Sequence, residues 1–305
     1  MNPFTAALER SKTIESRTCS ENTQRVYRSG LSTYKRLYDE YFADVEAAPP
    51  VWPPTLEGML ALFTLVAEER DYRYGSLANI AKSISYYCRL EEIDNPTRAA
   101  RWVAFIRGLK KDLKGDYLPN SVEPILIVHL QMLIDSEELK KQLDYTMLIA
   151  LFTLQFWGFL RIGEVLALRW NNIEISDETK TITIEIRDSK TDPTGKGAKV
   201  HIFPSQKPVH PLQHLLQWKD QCQTTHVFPV SPDTVRIRLS LYLKTLGVVG
   251  RYSTHSFRKG GAHAAALNGA SDASIKTHGR WRSSVYIRYT SLQMEEAGSM
   301  VTTLI

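Results

Sequence analysis

Along the first third of the chain, apolar residues recur every three to four positions with polar residues between them. In residues 20–42, Val26, Leu31, Tyr34, Leu37, Tyr38 and Phe42 fall near one helical stripe, and Ser20 stands where an N-cap is wanted. The proline-rich AAPPVWPPT ends that pattern. Three more helices are predicted after it: roughly residues 55–70, one in YGSLANIAKSISYYCRL, and one over NPTRAARWVAFIRGLKKDLKG with Pro96 near its first turn. Residues 1–112 thus read as a unit of four or five helices, and a mixture of charge, glycine and proline marks a linker at 113–124.

Residues 125–305 follow a different pattern. LDYTMLIALFTLQFWGFL is too apolar for a surface helix and is predicted as a central core helix, with RIGEVLALRW as an amphipathic helix after it. In TKTITIEIRDS, Ile182, Ile184 and Ile186 alternate with polar residues as in a half-buried strand, and AKVHIFP can return beside it across the turn TDPTGKG. Helices resume at HPLQHLLQW, SPDTVRIRLSLYLKTLG, THSFRKGGAHAAAL and from SDASIKTHGRW onward. The expected fold class is mainly α with a small antiparallel β-sheet in the second domain.

Composition adds little to this picture. Lys and Arg number 38 against 33 Asp and Glu, a formal charge of +5 that mildly favours a polyanionic partner. Cys19, Cys88 and Cys222 lie far apart without a CxxC pair, which argues against a disulfide framework or zinc ribbon and for a reduced, intracellular setting. No run has the length of a membrane span or a secretory leader, so no membrane partner is expected. His210 and His214 stand four apart, but without a third ligand they read as an ordinary helix start and no metal is assigned.

Several charged residues sit where they need a reason. Arg161 directly follows the apolar run, and Glu164 can face it across one helical turn. A surface ion pair would be worth little, but a guanidinium against a core helix needs compensation for burial. His255 and Arg258, three apart, share a face at a helix start, where backbone N–H groups already favour anions. Lys190 in DSKTDPTG reads by itself as a solvated turn lysine, and Trp281 and Tyr289 follow in HGRWRSSVYIRYT. Together two arginines, a lysine, a histidine, an indole donor and a tyrosine hydroxyl suit metal-free transfer of a phosphoryl group. In that chemistry the arginines stabilise the phosphate oxygens, and a tyrosine can attack to form a phosphotyrosine ester.

These motifs, in this order, resemble the tyrosine recombinases of the phage-integrase family, the group of Cre and the Xer proteins. LRIGEVLALRW is similar to the first arginine box, SKTD to the β-hairpin lysine, HSFRKGGA to the His-x-x-Arg box, and GRW with YIRYT to the last box and nucleophile. The resemblance implies that Arg161 and Arg258 hold the scissile phosphate and that Glu164 supports Arg161. It implies Lys190 as general acid, His255 in acid/base exchange, Trp281 as donor and packing element, and Tyr289 as nucleophile. Tyr289 lies eight residues after Trp281 where many members have nine, which keeps Tyr286 as the alternative. The wording of the boxes looks closest to recombinases of eukaryotic mobile elements, DIRS-like or Crypton-like.

By the same resemblance, residues 1–112 are a helical, SAM-like core-binding domain and 125–305 the catalytic domain, together a C-shaped clamp on DNA. Arg25, Arg28, Lys82 and Arg89 are then phosphate-contact candidates, and Arg236 and Arg238 can reach a groove; each also fits a solvated helix face. The expected reaction cleaves and rejoins DNA through a covalent 3′-phosphotyrosine, without cofactor, on double-stranded recombination sites. A homodimer on one site and a homotetramer in the synapse follow, with the tail after Tyr289 able to pack on a neighbour. Location follows the DNA, the nucleus in a eukaryote and the cytoplasm in a prokaryote. The competing readings are a type IB topoisomerase-like nicking-closing enzyme and a non-catalytic, recombinase-derived DNA-binding protein.

Overall fold

Ser20 accepts a hydrogen bond from the Thr23 backbone N–H at 3.3 Å and so starts the helix that its sequence position suggested. The computed structural model describes residues 2–16, 19–69, 72–113, 122–187 and 197–287, and the chain divides into two units, Met1–Asn120 and Ser121–Ile305. The described part of the first unit carries α1 (Pro3–Ser16), α2 (Glu21–Phe42), α3 (Leu56–Glu69), α4 (Tyr74–Leu90) and α5 (Ala100–Asp112). Tyr34 and Leu37 of α2, Met59 and Phe63 of α3, Leu77 and Ile84 of α4, and Trp102 of α5 form its core. Pro96 does not open α5 itself. Asn95 caps a 3-10 turn at Pro96–Arg98, and Ala99, in extended backbone, separates that turn from the helix. The described residues of this unit hold five helices, the upper of the two expected counts, and the sequence pattern did not place the one at Pro3–Ser16.

The described part of the second unit carries α6 (Ile127–Asp135), α7 (Tyr145–Trp157), α8 (Ile162–Leu166), β1 (Ile173–Ile175), β2 (Ile182–Ile186) and β3 (Ala198–Ile202). These are followed by α9 (Pro211–Gln221), α10 (Pro232–Thr245), α11 (His255–Leu267) and α12 (Asp272–His278). The strands form one antiparallel sheet in the order β1-β2-β3, with Ile184 opposite Ile173 on one side and Val200 on the other. Ile182, Ile184 and Ile186 are buried as their alternation implies. The mainly α fold with a small antiparallel sheet agrees with the sequence pattern, except that β1 is an additional strand.

Two helices are shorter than expected. RIGEVLALRW is helical only over Ile162–Leu166, because the backbone beyond pairs elsewhere: Trp170 donates to Thr225 O (3.1 Å) and Val227 donates to Leu168 O (2.9 Å). SDASIKTHGRW stops being helical after His278, where α12 turns sharply.

Helix α7 is buried on every side from Leu148 to Phe156. Helix α11 approaches it backbone to backbone at Gly261, where a Cβ would lie 2.1 Å from Phe156 O, and a Cβ on Gly260 would lie 1.8 Å from Ile125 O in the segment before α6. Only glycine permits this spacing, and the approach brings the start of α11 beside the end of α7. Among the described residues no helix is long and apolar enough to cross a membrane.

Candidate active site

Two helix ends of the same construction meet beneath the site. At the end of α7, Phe159 N–H reaches Phe156 O (3.4 Å) and Leu160 N–H reaches Gln155 O (3.0 Å), with Phe159 at φ 46°. At the end of α12, Arg280 N–H reaches Thr277 O (3.0 Å) and Trp281 N–H reaches Lys276 O (3.0 Å), with Arg280 at φ 57°. Both are Schellman turns with a side chain where glycine is usual, a left-handed conformation that costs roughly 1–2 kcal/mol each. Glycine stands one residue earlier in both, at Gly158 and Gly279. At Gly279 the reason is direct, since a Cβ would lie 1.8 Å from a Trp281 ring carbon.

Joining two helix C-termini gathers carbonyl oxygens and the negative ends of two helix dipoles, and buried cations compensate them. Arg258 of α11 is fully buried; its Nη1 donates to Phe159 O (2.6 Å) and its Nη2 to Gly279 O (2.5 Å). Its guanidinium lies 4.4 Å from the centroid of the Trp281 ring, a desolvated cation–π contact. Arg280 donates to His278 O (3.0 Å) and Phe159 O (3.3 Å). His278 completes the junction through a 2.8 Å hydrogen bond between Nε2 and Trp157 O.

Glu164, on α8, is the carboxylate these cations share. Its Oε1 accepts from Arg161 Nη1 (2.6 Å), and its Oε2 accepts from the Arg161 backbone N–H (2.9 Å) and Arg280 Nη2 (2.9 Å), with Arg258 Nη1 at 3.8 Å. Burial alone would push its carboxyl up, but Arg280 and then Arg161 hold it below the ordinary carboxylate value. The side chain of Arg161 keeps 25% of its surface exposed while that of Glu164 keeps 3%. Arg161 therefore presents charge outward from a buried anchor.

His255 opens α11, and its place is set from behind by Gln155, whose buried Nε2 donates to Thr254 O at 2.8 Å. Its ring is pushed down to about 4 by partial burial and by the nearby charges of Arg258, Arg161 and Lys259. The residue is exposed on one side, yet with three cations around it the ring is neutral near pH 7. Lys259 turns away, donating from Nζ to Val122 O at 2.5 Å. Trp281 is 9% exposed, and Tyr286, 8% exposed, packs on it with ring centroids 6.0 Å apart.

The structure thus brings Arg161, Glu164, His255, Arg258 and Trp281 to one place from three distant stretches of sequence. Lys190 and Tyr289 lie outside the described residues, as do most of the 113–124 linker and the tail after Tyr289. Arg25, Arg28, Lys82 and Arg89 are exposed on α2 and α4; Arg25 donates to Asn22 Oδ1 (3.0 Å), and Arg89 lies over the Tyr86 ring. On α10, Arg236 is exposed and 3.4 Å from Asp233, whereas Arg238 is held 2.7 Å from Asp144. The ring nitrogens of His210 are used in starting α9, with Nδ1 accepting from Leu212 N–H and Nε2 3.0 Å from Phe203 O. Sequence reasoning missed Arg280, Gln155 and His278; the shared form of WGFLR and HGRWR, each following a helix, was the available signal for Arg280.

Neither a protein-family model nor a curated protein matches the sequence. Solved structures do. A lambda integrase dimer bound to a COC′ core site matches with a TM-score of 0.59 at 15% identity, covering 95% of this chain and 81% of that one. The Tn1549 transposon integrase in complex with transposon right end DNA gives 0.60 at 12% identity, over 95% and 98%. XerH site-specific recombinase bound to palindromic difH substrate gives 0.61 at 13% identity, over 91% and 79%. The fold of this chain is that of the tyrosine recombinases.

Proposed function

We propose that this chain is a site-specific DNA recombinase that breaks and rejoins strands through a covalent 3′-phosphotyrosine. The observation that carries the reading is the meeting of Arg161 and Arg258 around one buried carboxylate, Glu164, with His255 close enough to both arginines to feel their charge, in a fold shared with DNA integrases. Arg161 at the surface and Arg258 beneath it supply positive charge for the non-bridging oxygens of a phosphodiester. The Tyr289 oxygen attacks phosphorus while the bond to the 5′ oxygen breaks. The neutral His255 ring accepts the tyrosine proton, and Lys190 gives a proton to the departing 5′ oxygen. Reversal with a different 5′ hydroxyl rejoins the strand, so the phosphoester bond count is unchanged.

Tyr289 is favoured over Tyr286 because the Tyr286 ring is buried against Trp281. In this reading residues 1–112 are the core-binding domain and 125–305 the catalytic domain, and each binds duplex DNA. Arg25, Arg28, Lys82, Arg89 and Arg236 are phosphate or groove contacts. Arg238 is assigned instead to its ion pair with Asp144. A dimer on each site and a tetramer in the synapse complete the assembly.

The test starts from a duplex that the protein selects from a randomised pool. A nicked version of that duplex is incubated with the protein in EDTA and resolved on a denaturing gel, and a plasmid carrying two copies is assayed for exchange. A covalent adduct together with exchange between the copies is expected. Relaxation of supercoils without exchange would point to a nicking-closing enzyme, and binding without adduct to a non-catalytic DNA-binding protein.

A further inference from the structure

Arg280 has no role in the chemistry above, yet it touches four residues of the site's framework. Its Nη2 reaches Glu164 Oε2 (2.9 Å) and Phe159 O (3.3 Å), and its Nη1 reaches His278 O (3.0 Å) and, more distantly, Gly158 O (3.4 Å). It therefore grips both the carboxylate that holds Arg161 and the backbone turn that leads into Arg161. Its side chain is 11% exposed, so it is placed to act through its neighbours. Its left-handed backbone, φ 57°, is a conformation that a plain turn would leave to glycine.

We infer that Arg280 is a positioning residue for strand cleavage, orienting Arg161 by fixing Glu164 and the Gly158–Phe159 turn. The inference rests on the recombinase reading. One consequence concerns charge. Glu164 faces Arg161 at its own helix start, Arg258 from α11, Arg280 from the end of α12, and Arg169, Glu185 and Arg187 around a small adjoining cavity. The charge of Arg280 and the charge and hydrogen bonds of Arg161 together hold its carboxyl low against burial, so loss of Arg280 moves the acid limb of the cleavage rate to higher pH.

The experiment is a double-mutant cycle with Arg280→Gln and Glu164→Gln, on the duplex that the wild-type protein selects from a randomised pool. Single-turnover adduct formation and equilibrium DNA binding are measured for each protein. Arg280→Gln is expected to slow adduct formation about tenfold or more while DNA affinity stays within about threefold. In the Glu164→Gln background the same change is expected to cost at least about threefold less than in wild type, because one of the two elements it acts through is gone and only the Gly158–Phe159 turn remains. Arg280→Lys, which keeps charge but loses the planar fork, should fall between Arg280→Gln and wild type, and it supplies the comparison if the glutamine variant does not fold.

Equal losses in both backgrounds, a loss of DNA affinity matching the loss of rate, or an unmoved acid limb would overturn the inference. Absence of any adduct from wild type would instead overturn the recombinase reading on which it rests.

Discussion

Replacing Arg258 with methionine removes the cation from between two helix ends while keeping much of its apolar volume. Gly279 O loses its 2.5 Å donor, Phe159 O keeps only the weaker contact from Arg280, and Trp281 loses a guanidinium 4.4 Å from its ring centroid. Hydrogen bonds to charged groups are worth about 1.5–3 kcal/mol each and a desolvated cation–π contact about 2 kcal/mol. Relief from burying a charge offsets part of this sum, which leaves a net loss of about 4 kcal/mol, as is usual when one partner of a buried charged cluster is removed. In differential scanning calorimetry of the full chain this corresponds to a fall of about 10 °C in the transition of Ser121–Ile305, with the transition of Met1–Asn120 unmoved. Arg258→Lys should recover less than half, because one ammonium cannot donate in two directions and stack on an indole. A fall below about 2 °C for the methionine variant would refute the role of Arg258 as the link between the two helix ends.

Gly260→Ala places a Cβ 1.8 Å from Ile125 O and should destabilise the second unit by about 3 kcal/mol, whereas Gly163→Ala, with nothing within 4 Å, should be neutral or slightly stabilising. Urea titration of both variants checks this, and similar midpoints would count against the close approach of α11. Acid should weaken the fold before carboxylates titrate: burial holds His129, His210, His214, His255 and His278 below the ordinary 6.5. The unfolded chain then binds more protons below 6.5, so this stability is complete above 6.5 and is lost as pH falls, for His255 down to about 4. Glu164 adds stability above the ordinary 4.5 that is lost only at lower pH, as its carboxyl is held down. Melting at constant ionic strength should show Tm falling from pH 7 to pH 5, and a flat Tm would contradict the burial of these rings.

What the sequence made legible was local. The apolar run around Leu148–Phe156 could only be a core helix, and the alternation of Ile182, Ile184 and Ile186 could only be a half-buried strand. The failures lie where distant segments decide. Leu168–Trp170 leaves its helix because residues 225–227 take its backbone groups, and β1 is a strand only because β2 lies beside it. The charge at the start of α11 raised the expectation of an external anion but gave no sign of a second, internal task, in which Arg258 donates twice to the carbonyl ends of α7 and α12. Nothing near Arg258 in the sequence announces either partner, since Phe159 and Gly279 stand 99 and 21 residues away. Arg280 escaped notice for the same reason: its partner Glu164 lies 116 residues earlier.

The proposed reaction requires a covalent bond between DNA and one tyrosine. The protein–DNA adduct formed on the nicked duplex would be digested with protease and nuclease, and the peptide carrying the residual nucleotide sequenced by mass spectrometry. A 3′-phosphonucleotide is expected on Tyr289, and no adduct from Tyr289→Phe although that variant still binds the duplex. A nucleotide on Tyr286 or any other residue, or an undiminished adduct from Tyr289→Phe, would contradict this assignment.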